Sequence, residues 1–285
     1  MVATVVRLLQ QAGKSPGIVS RGYRADASGT NDEKWVLDHL CPGVPHLQNP
    51  DRVVAAAEIV AQGGVDVIVL DDGFQHRRIA RDCDIVLVDA TNPFGHGHLL
   101  PRGLLRETRS GLCRADLVVI TRCDQVSAEA LASIESEIRS VSPSLPDRML
   151  FTEFQPIQLL TAGGATEALE SLNNQKAYLV TAIGNPSGFV TTCRRSVAEI
   201  TGTDIFPDHH HYTTDDLRAV LERARQASAD VVLTTVKDLV KLRSLIADDA
   251  REDPPILAVE IATVFGSTDS EDVLRSALEN AVSRT

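Results

Sequence analysis

Two carboxylates stand side by side at Asp71 and Asp72, between the largely apolar run Val65–Leu70 and the turn residue Gly73. Adjacent like charges raise each other's pKa unless a cation lies between them. A divalent metal carrying phosphate meets that need, and the carboxyl end of a buried strand is where phosphate-transferring folds hold Mg²⁺. The plain structural alternative is a solvated Asp-Gly turn.

Further stretches have residues suited to chemistry. "NPFGHGHLLPRGLLRE" (Asn92–Glu107) is too rich in glycine for a helix and too apolar for a disordered linker, which suggests a loop that wraps a ligand and ends in the charged pair Arg106–Glu107. His96 and His98 form an H-x-H pattern, a weak metal signal by itself. "FPDHHHYTTDD" (Phe206–Asp216) sets three histidines beside an aspartate just before a helix, where a histidine can act as a base or orient one. No further ligands with zinc spacing accompany them. Asp32 and Glu33 open a helix in "SGTNDEKWVLDHL", a placement the helix dipole favours without any catalytic role. "SRGYR" (Ser20–Arg24) is a basic strand end. "VITRCD" (Val119–Asp124) is close to the T-K-x-D by which GTPases read guanine, with Arg122 in place of lysine, although a strand end running into a turn explains it as well.

Alternating elements must position these residues. Val2, Val5, Val6, Leu8 and Leu9 recur at helical spacing, with Gly13 as the stop. "PGIVS", Val65–Leu70, Asp84–Ala90 and Ala115–Thr121 read as strands whose near-continuous apolar character predicts a parallel sheet covered on both faces. Between them, "NPDRVVAAAEIVAQGG" predicts a helix with Asn49 at the N-cap and Pro50 at N1, and Ser127 caps another. Prolines and a less regular pattern over Ser142–Pro156 predict a division into domains 1–150 and 151–285, with the terminal helix able to pack back on the first. The second half alternates again: strands at "AYLVTAIG", "DVVLTTV" and "PILAVEIA", and helices from about Gly188, at "TTDDLRAVLERARQA", at "KDLVKLRSLI" and at "SEDVLRSALENAV". The expected class is α/β, doubly wound and mostly parallel, with ligands beyond the carboxyl ends of strands.

Composition narrows the function. Over 285 residues the formal net charge is −11, which disfavours general affinity for nucleic acid. Five scattered cysteines without C-x-x-C spacing indicate neither a disulfide framework nor a zinc knuckle, and suggest a reducing cytosol. No apolar run reaches the roughly 20 residues that span a bilayer, and the first residues lack the features of a signal peptide. No feature specifies an oligomeric state.

In order along the chain, "GIVSRGY", "NDE", "VIVLDDGFQH", "NPFGHGHLLPRGLLRE", "AIGNPSGF", "FPDHHHYT" and "LTTVKDLVKL" resemble the motifs of the tetraacyldisaccharide 4′-kinases, the lipid A 4′-kinases of Gram-negative bacteria. The resemblance runs from about Met1 to about Leu242. It implies a P-loop-kinase-like core with a smaller α/β domain. It also implies transfer of the ATP γ-phosphate, with Mg²⁺, to the 4′-hydroxyl of a lipid A disaccharide precursor at the cytoplasmic face of the inner membrane. By the same resemblance Asp32 serves in catalysis and His209 pairs with it. Glu33, Asp71 and Asp72 lie near Mg²⁺, and Gly73, Arg106 and Glu107 lie near the nucleotide. Ser20, Arg21, Gln75, His76, Asn92 and Gly95 contact substrate.

The chain departs from that family in one large respect: residues 1–285 contain no G-x-x-x-x-G-K-[ST]. The family places that loop just before the helix that opens this sequence. The expectation is therefore a product begun late, inactive as it stands because the backbone cradle and lysine for the β/γ-phosphates are missing. The alternatives are a non-catalytic homologue that binds the lipid precursor or regulates, and a degenerate GTPase-like regulator. Smaller departures are Val236 where the family has glutamate, and no second glycine after Tyr23.

Overall fold

The computed structural model describes residues 1–22, 32–143, 145, 148–246 and 253–283, so Tyr23–Asn31 of the motifs above lie outside the described residues. Contacts divide the chain into a first unit, Met1–Glu153 with Thr263–Thr285, and a second, Phe154–Ala262.

In the first unit, β1 (Pro16–Ser20) lies between β2 (His46–Gln48) and β3 (Val67–Leu70), parallel to both. A second parallel set runs β4 (Ile85–Asp89), β5 (Leu117–Thr121) and the start of β6 (Met149–Thr161). Helix α1 (Val2–Gln11) buries Val5, Leu8 and Leu9 against Leu274 and Leu278 of the terminal helix α8 (Thr268–Val282) and against Leu117, Val119 and Leu150. Helix α4 (Ala128–Val141) packs Ile134 and Ile138 on Val118 and Ile120. Its cap is the expected one, Ser127 Oγ accepting from Ala130 N at 3.3 Å. The cap of α3 (Arg52–Ala61) is not: Asp51, not Asn49, accepts from Val53 N, at 3.1 Å. Asn49 instead accepts from Asp51 N at 2.9 Å, a local Asx turn that delays the helix by two residues. A cavity of about 590 Å³ lies between β3 and β4, lined by Val67, Val69, Ile85 and Leu87 and by Asp71–Gly73.

In the second unit, β9 (Glu199–Ile205), β8 (Lys176–Thr181), β10 (Val231–Thr235) and β11 (Ile256–Phe265) lie side by side in that order, all parallel. The short β7 (Thr166–Glu167) pairs antiparallel with β6. Leu159, Leu179, Leu233 and Val259 form the core with Phe189 of α5 (Pro186–Arg194), which starts at the cap Asn185, earlier than the expected Gly188. Strands β2, β6, β7 and β9 are absent from the sequence reading, and β6 and β9 show why. The stretch taken as an irregular boundary contains the first residues of the 13-residue β6, whose mixed burial follows no simple alternation. Strand β9 was hidden by its glycine: a Cβ on Gly202 would lie 2.4 Å from the Tyr178 ring that covers it.

Helices α6 (Thr214–Gln226) and α7 (Val236–Leu242) complete this unit. The fully buried Asp238 of α7 accepts from Thr181 Oγ1 (3.2 Å), Ala182 N (3.0 Å) and Thr235 Oγ1 (2.8 Å), tying the ends of β8 and β10 together. Removing it strands these buried donors. Asp238→Ala is expected to cost about 3 kcal/mol in urea unfolding; a loss below about 1 kcal/mol would deny the carboxylate this role.

Candidate functional site

The paired aspartates begin where β3 ends. Asp71 N donates to Val19 O at 2.9 Å, the last link of the β1–β3 ladder. Asp72 then takes φ +51°, a left-handed conformation that aspartate tolerates better than most residues. At Gly73 a Cβ would lie 2.7 Å from Leu70 Cβ, so only glycine lets the chain double back there.

The two carboxylates differ in environment. Asp72 is exposed and held by Arg106, whose Nη1 lies 2.6 and 2.5 Å from its oxygens. Asp71 is half-buried, and its carboxyl is pushed above the usual carboxylate range by burial first, then by Glu33 and Asp72. Among the described residues nothing donates a hydrogen bond to its carboxylate. Arg52, in the first turn of α3, is 5 % exposed and reaches the turn, with Nη1 on Pro50 O (3.1 Å) and Nη2 at 3.5 Å from Asp72 O. Its guanidinium also feels the charges of Arg21, Asp71 and Arg106.

Three links stitch the Asp71–His76 turn to the Asn92–Glu107 loop and the segment after it. They are the Arg106–Asp72 pair, Gln75 Nε2 donating to Glu107 Oε1 at 3.1 Å, and Arg114, which stacks 4.4 Å above the Phe74 ring while donating to both Glu107 oxygens at 2.9 Å. Arg106 and Glu107 thus point to different partners rather than acting as a pair. Arg81 fixes the far side of the turn, with Nη1 on His76 O at 2.8 Å. The loop itself folds on its glycines: Leu104 N donates to Gly95 O at 3.0 Å, and a Cβ on Gly103 would sit 2.2 Å from His98 O. Asn92 Oδ1 accepts from His96 N at 3.4 Å, closing the same turn.

Asp32 and Glu33 open helix α2 (Asp32–Leu40), and Glu33 acts electrostatically on both Asp71 and Arg106. Ser20, expected to touch substrate, is buried, its Oγ 2.9 Å from His46 Nε2. Arg21 is exposed. In "TRCD", Arg122 adopts φ +58° and its guanidinium is bound by Asp89.

In the second unit, His209 adopts φ +61°, and its Nε2 lies 3.4 Å from Lys237 Nζ and 3.9 Å from Asp208. His210 is occupied by the α6 cap, 3.1 Å from Asp216, and His211 is exposed. Asp32 and His209 belong to different units.

Among the described residues no three His, Cys, Asp or Glu side chains converge as a metal cage. Mg²⁺ needs no such cage, since one or two carboxylates plus phosphate oxygens and water complete its shell. A half-buried Asp71 crowded by two other carboxylates suits that cation. The missed residues are Arg52 and Arg114. Arg52 left a signal, a cation in the first turn of a helix where the dipole disfavours it; Arg114 left none.

A family model described as Tetraacyldisaccharide-1-P 4′-kinase matches residues 1–281. The tetraacyldisaccharide 4′-kinase of Anaeromyxobacter sp. (strain K) is 37% identical over 296 residues, covering 98% of this chain and 76% of the relative. That of Bdellovibrio bacteriovorus is 33% identical, covering 84% of this chain and 73% of the relative. The crystal structure of LpxK from Aquifex aeolicus in complex with ATP has the same α/β fold, with a TM-score of 0.68 at 22% identity over 99% of this chain and 82% of that one.

Proposed function

Because the chain belongs to the tetraacyldisaccharide 4′-kinase family, we propose that it serves lipid A biosynthesis by moving the γ-phosphate of ATP to the 4′-hydroxyl of tetraacyldisaccharide 1-phosphate. The observation that carries this reading is the Asp71 carboxylate, left without a hydrogen-bond donor among the described residues in the lining of a cavity and near Glu33, Asp72 and Arg52.

Asp71, with Asp72 and Glu33, would hold Mg²⁺, which when bound neutralises charge on the phosphoryl oxygens. Asp32 accepts the proton of the sugar hydroxyl as the new O–P bond forms. Arg52 and Arg106 donate to phosphate oxygens, with Gly73 and Glu107 shaping the nucleotide side. His209 serves to orient a carboxylate. Arg21, Gln75, His76 and Asn92 border the substrate, whereas Ser20 and Gly95, expected to touch it, are buried.

No helix among the described residues is long and apolar enough to cross a membrane. On the Asn92–Glu107 loop, however, Leu99, Leu100 and Leu104 are 43%, 60% and 61% exposed beside Arg102, which supports peripheral contact with the cytoplasmic face of the inner membrane.

Residues 1–285 contain no glycine-rich phosphate loop, so they are expected to transfer little phosphate by themselves. The test is ATP-dependent phosphorylation of tetraacyldisaccharide 1-phosphate by residues 1–285, and by the polypeptide extended with any in-frame upstream sequence. Robust turnover by residues 1–285 would overturn the need for the loop. Binding of the disaccharide without transfer by either polypeptide would favour a non-catalytic lipid-precursor protein.

A further inference from the structure

Helix α2 brings Asp32 and Glu33 to the site. It is nine residues long and none of them is buried. Isolated helices shorter than about 12 residues are marginal in water, so tertiary contacts must supply the stability. Leu37 is partly buried on the small cluster of Val6, Ile18 and Cys41.

A polar chain adds to this hold. Lys34 Nζ lies 2.7 Å from Asp38 Oδ2, one turn along the helix. Asp38 Oδ1 lies 2.8 Å from His46 Nδ1, and His46 Nε2 lies 2.9 Å from Ser20 Oγ. Gln48 Nε2 donates to the same Ser20 oxygen at 3.0 Å. The carboxylate fixes the histidine tautomer: Nδ1–H donates to Asp38, Nε2 is left as acceptor, and the Ser20 hydroxyl donates to it. Burial holds His46 below the usual histidine pKa, in keeping with a neutral ring. The spacing is that of a serine-hydrolase triad, but Ser20 is only 5 % exposed and its oxygen is already engaged by Gln48, leaving no approach for an acyl carbonyl.

We infer that His46 is a positioning residue: the Asp38–His46–Ser20 chain pins helix α2 to the carboxyl end of β1 and thereby sets the place of Asp32 and Glu33 for phosphoryl transfer. The His46 side chain is 1% exposed and that of Asp38 is 42% exposed, so the link is buried at its histidine end and open to solvent at its carboxylate. This inference rests on the proposed kinase reading for its catalytic consequence, but not for the tether itself.

Hydrogen exchange of residues 1–285 tests the tether. In His46→Ala and Asp38→Ala, amides of Trp35–Leu40 should exchange at least about tenfold faster, while those of α3 and α4 keep their rates. Asp38→Asn retains an acceptor for Nδ1–H and should stay within about threefold of the parent. Unchanged exchange in α2, or equal acceleration in α3 and α4, overturns the tether. In the polypeptide that transfers phosphate, His46→Ala should lower kcat about tenfold or more with KM for ATP within about twofold. An intact kcat with a loosened α2 overturns the positioning role if Asp32→Asn abolishes transfer; if Asp32→Asn is also silent, the assignment of Asp32 fails instead.

Discussion

Asp32→Asn is expected to lower phosphoryl transfer by about 10²–10⁴-fold, the usual contribution of a positioned general base. The substitution keeps size and polarity and removes only the ability to take a proton. Its structural effect should be small, because asparagine gives up only the charge that suits the first helical turn, worth about 0.3–1 kcal/mol, and Asp32 Oδ1 accepts from Glu33 N at 3.1 Å through an oxygen the amide also has. The melting temperature should therefore stay close to that of the parent while kcat collapses. Single-turnover transfer at saturating ATP is the measurement. A rate within about threefold of the parent would remove Asp32 from the chemistry, since a lost base cannot cost so little.

Asp71→Asn should separate activity from stability in opposite directions. Transfer should fall by about 10²-fold and half-saturation should require more Mg²⁺, because the one carboxylate of the pair without a donor among the described residues is the better cation ligand. Asp72→Asn should have the smaller effect on Mg²⁺ dependence, since its oxygens are engaged by Arg106. Folding stability without metal should rise in Asp71→Asn. The folded state raises this carboxyl above its ordinary value, so it binds a proton more readily than the unfolded chain does. Stability is then greatest below the ordinary carboxylate pKa and declines as pH climbs through the raised value. At neutral pH the charge opposes folding, and the amide relieves it. Thermal melts at pH 7 in EDTA, beside Mg²⁺ titrations of the transfer rate, test both halves. A lower melting temperature, or a stronger Mg²⁺ effect at Asp72, would reverse the assignment.

The motifs at both ends of this site were legible because each depends on local chain geometry. Strand, paired aspartate and glycine must be contiguous for the turn at Asp71–Gly73 to form, and Gly95 and Gly103 must be glycines where the loop crosses its own backbone. The cap of α3 was misplaced by two residues because Asn49 and Asp51 are equally good caps, and an Asx turn chose between them. Strand β9 escaped notice because its glycine answers to Tyr178, a residue on another strand.

By itself the sequence determined the alternating α/β elements, their parallel sheet and the family, since apolar runs, caps and ordered motifs are properties of neighbouring residues. Tertiary structure alone decided which charges meet. It put the buried Arg52 beneath the aspartates, sent Arg106 to Asp72 and Glu107 to Gln75 and Arg114, and pinned α2 through His46. Those pairings join residues up to 34 positions apart, and a side chain's charge or tautomer follows from its partners and burial, which spacing along the chain does not specify.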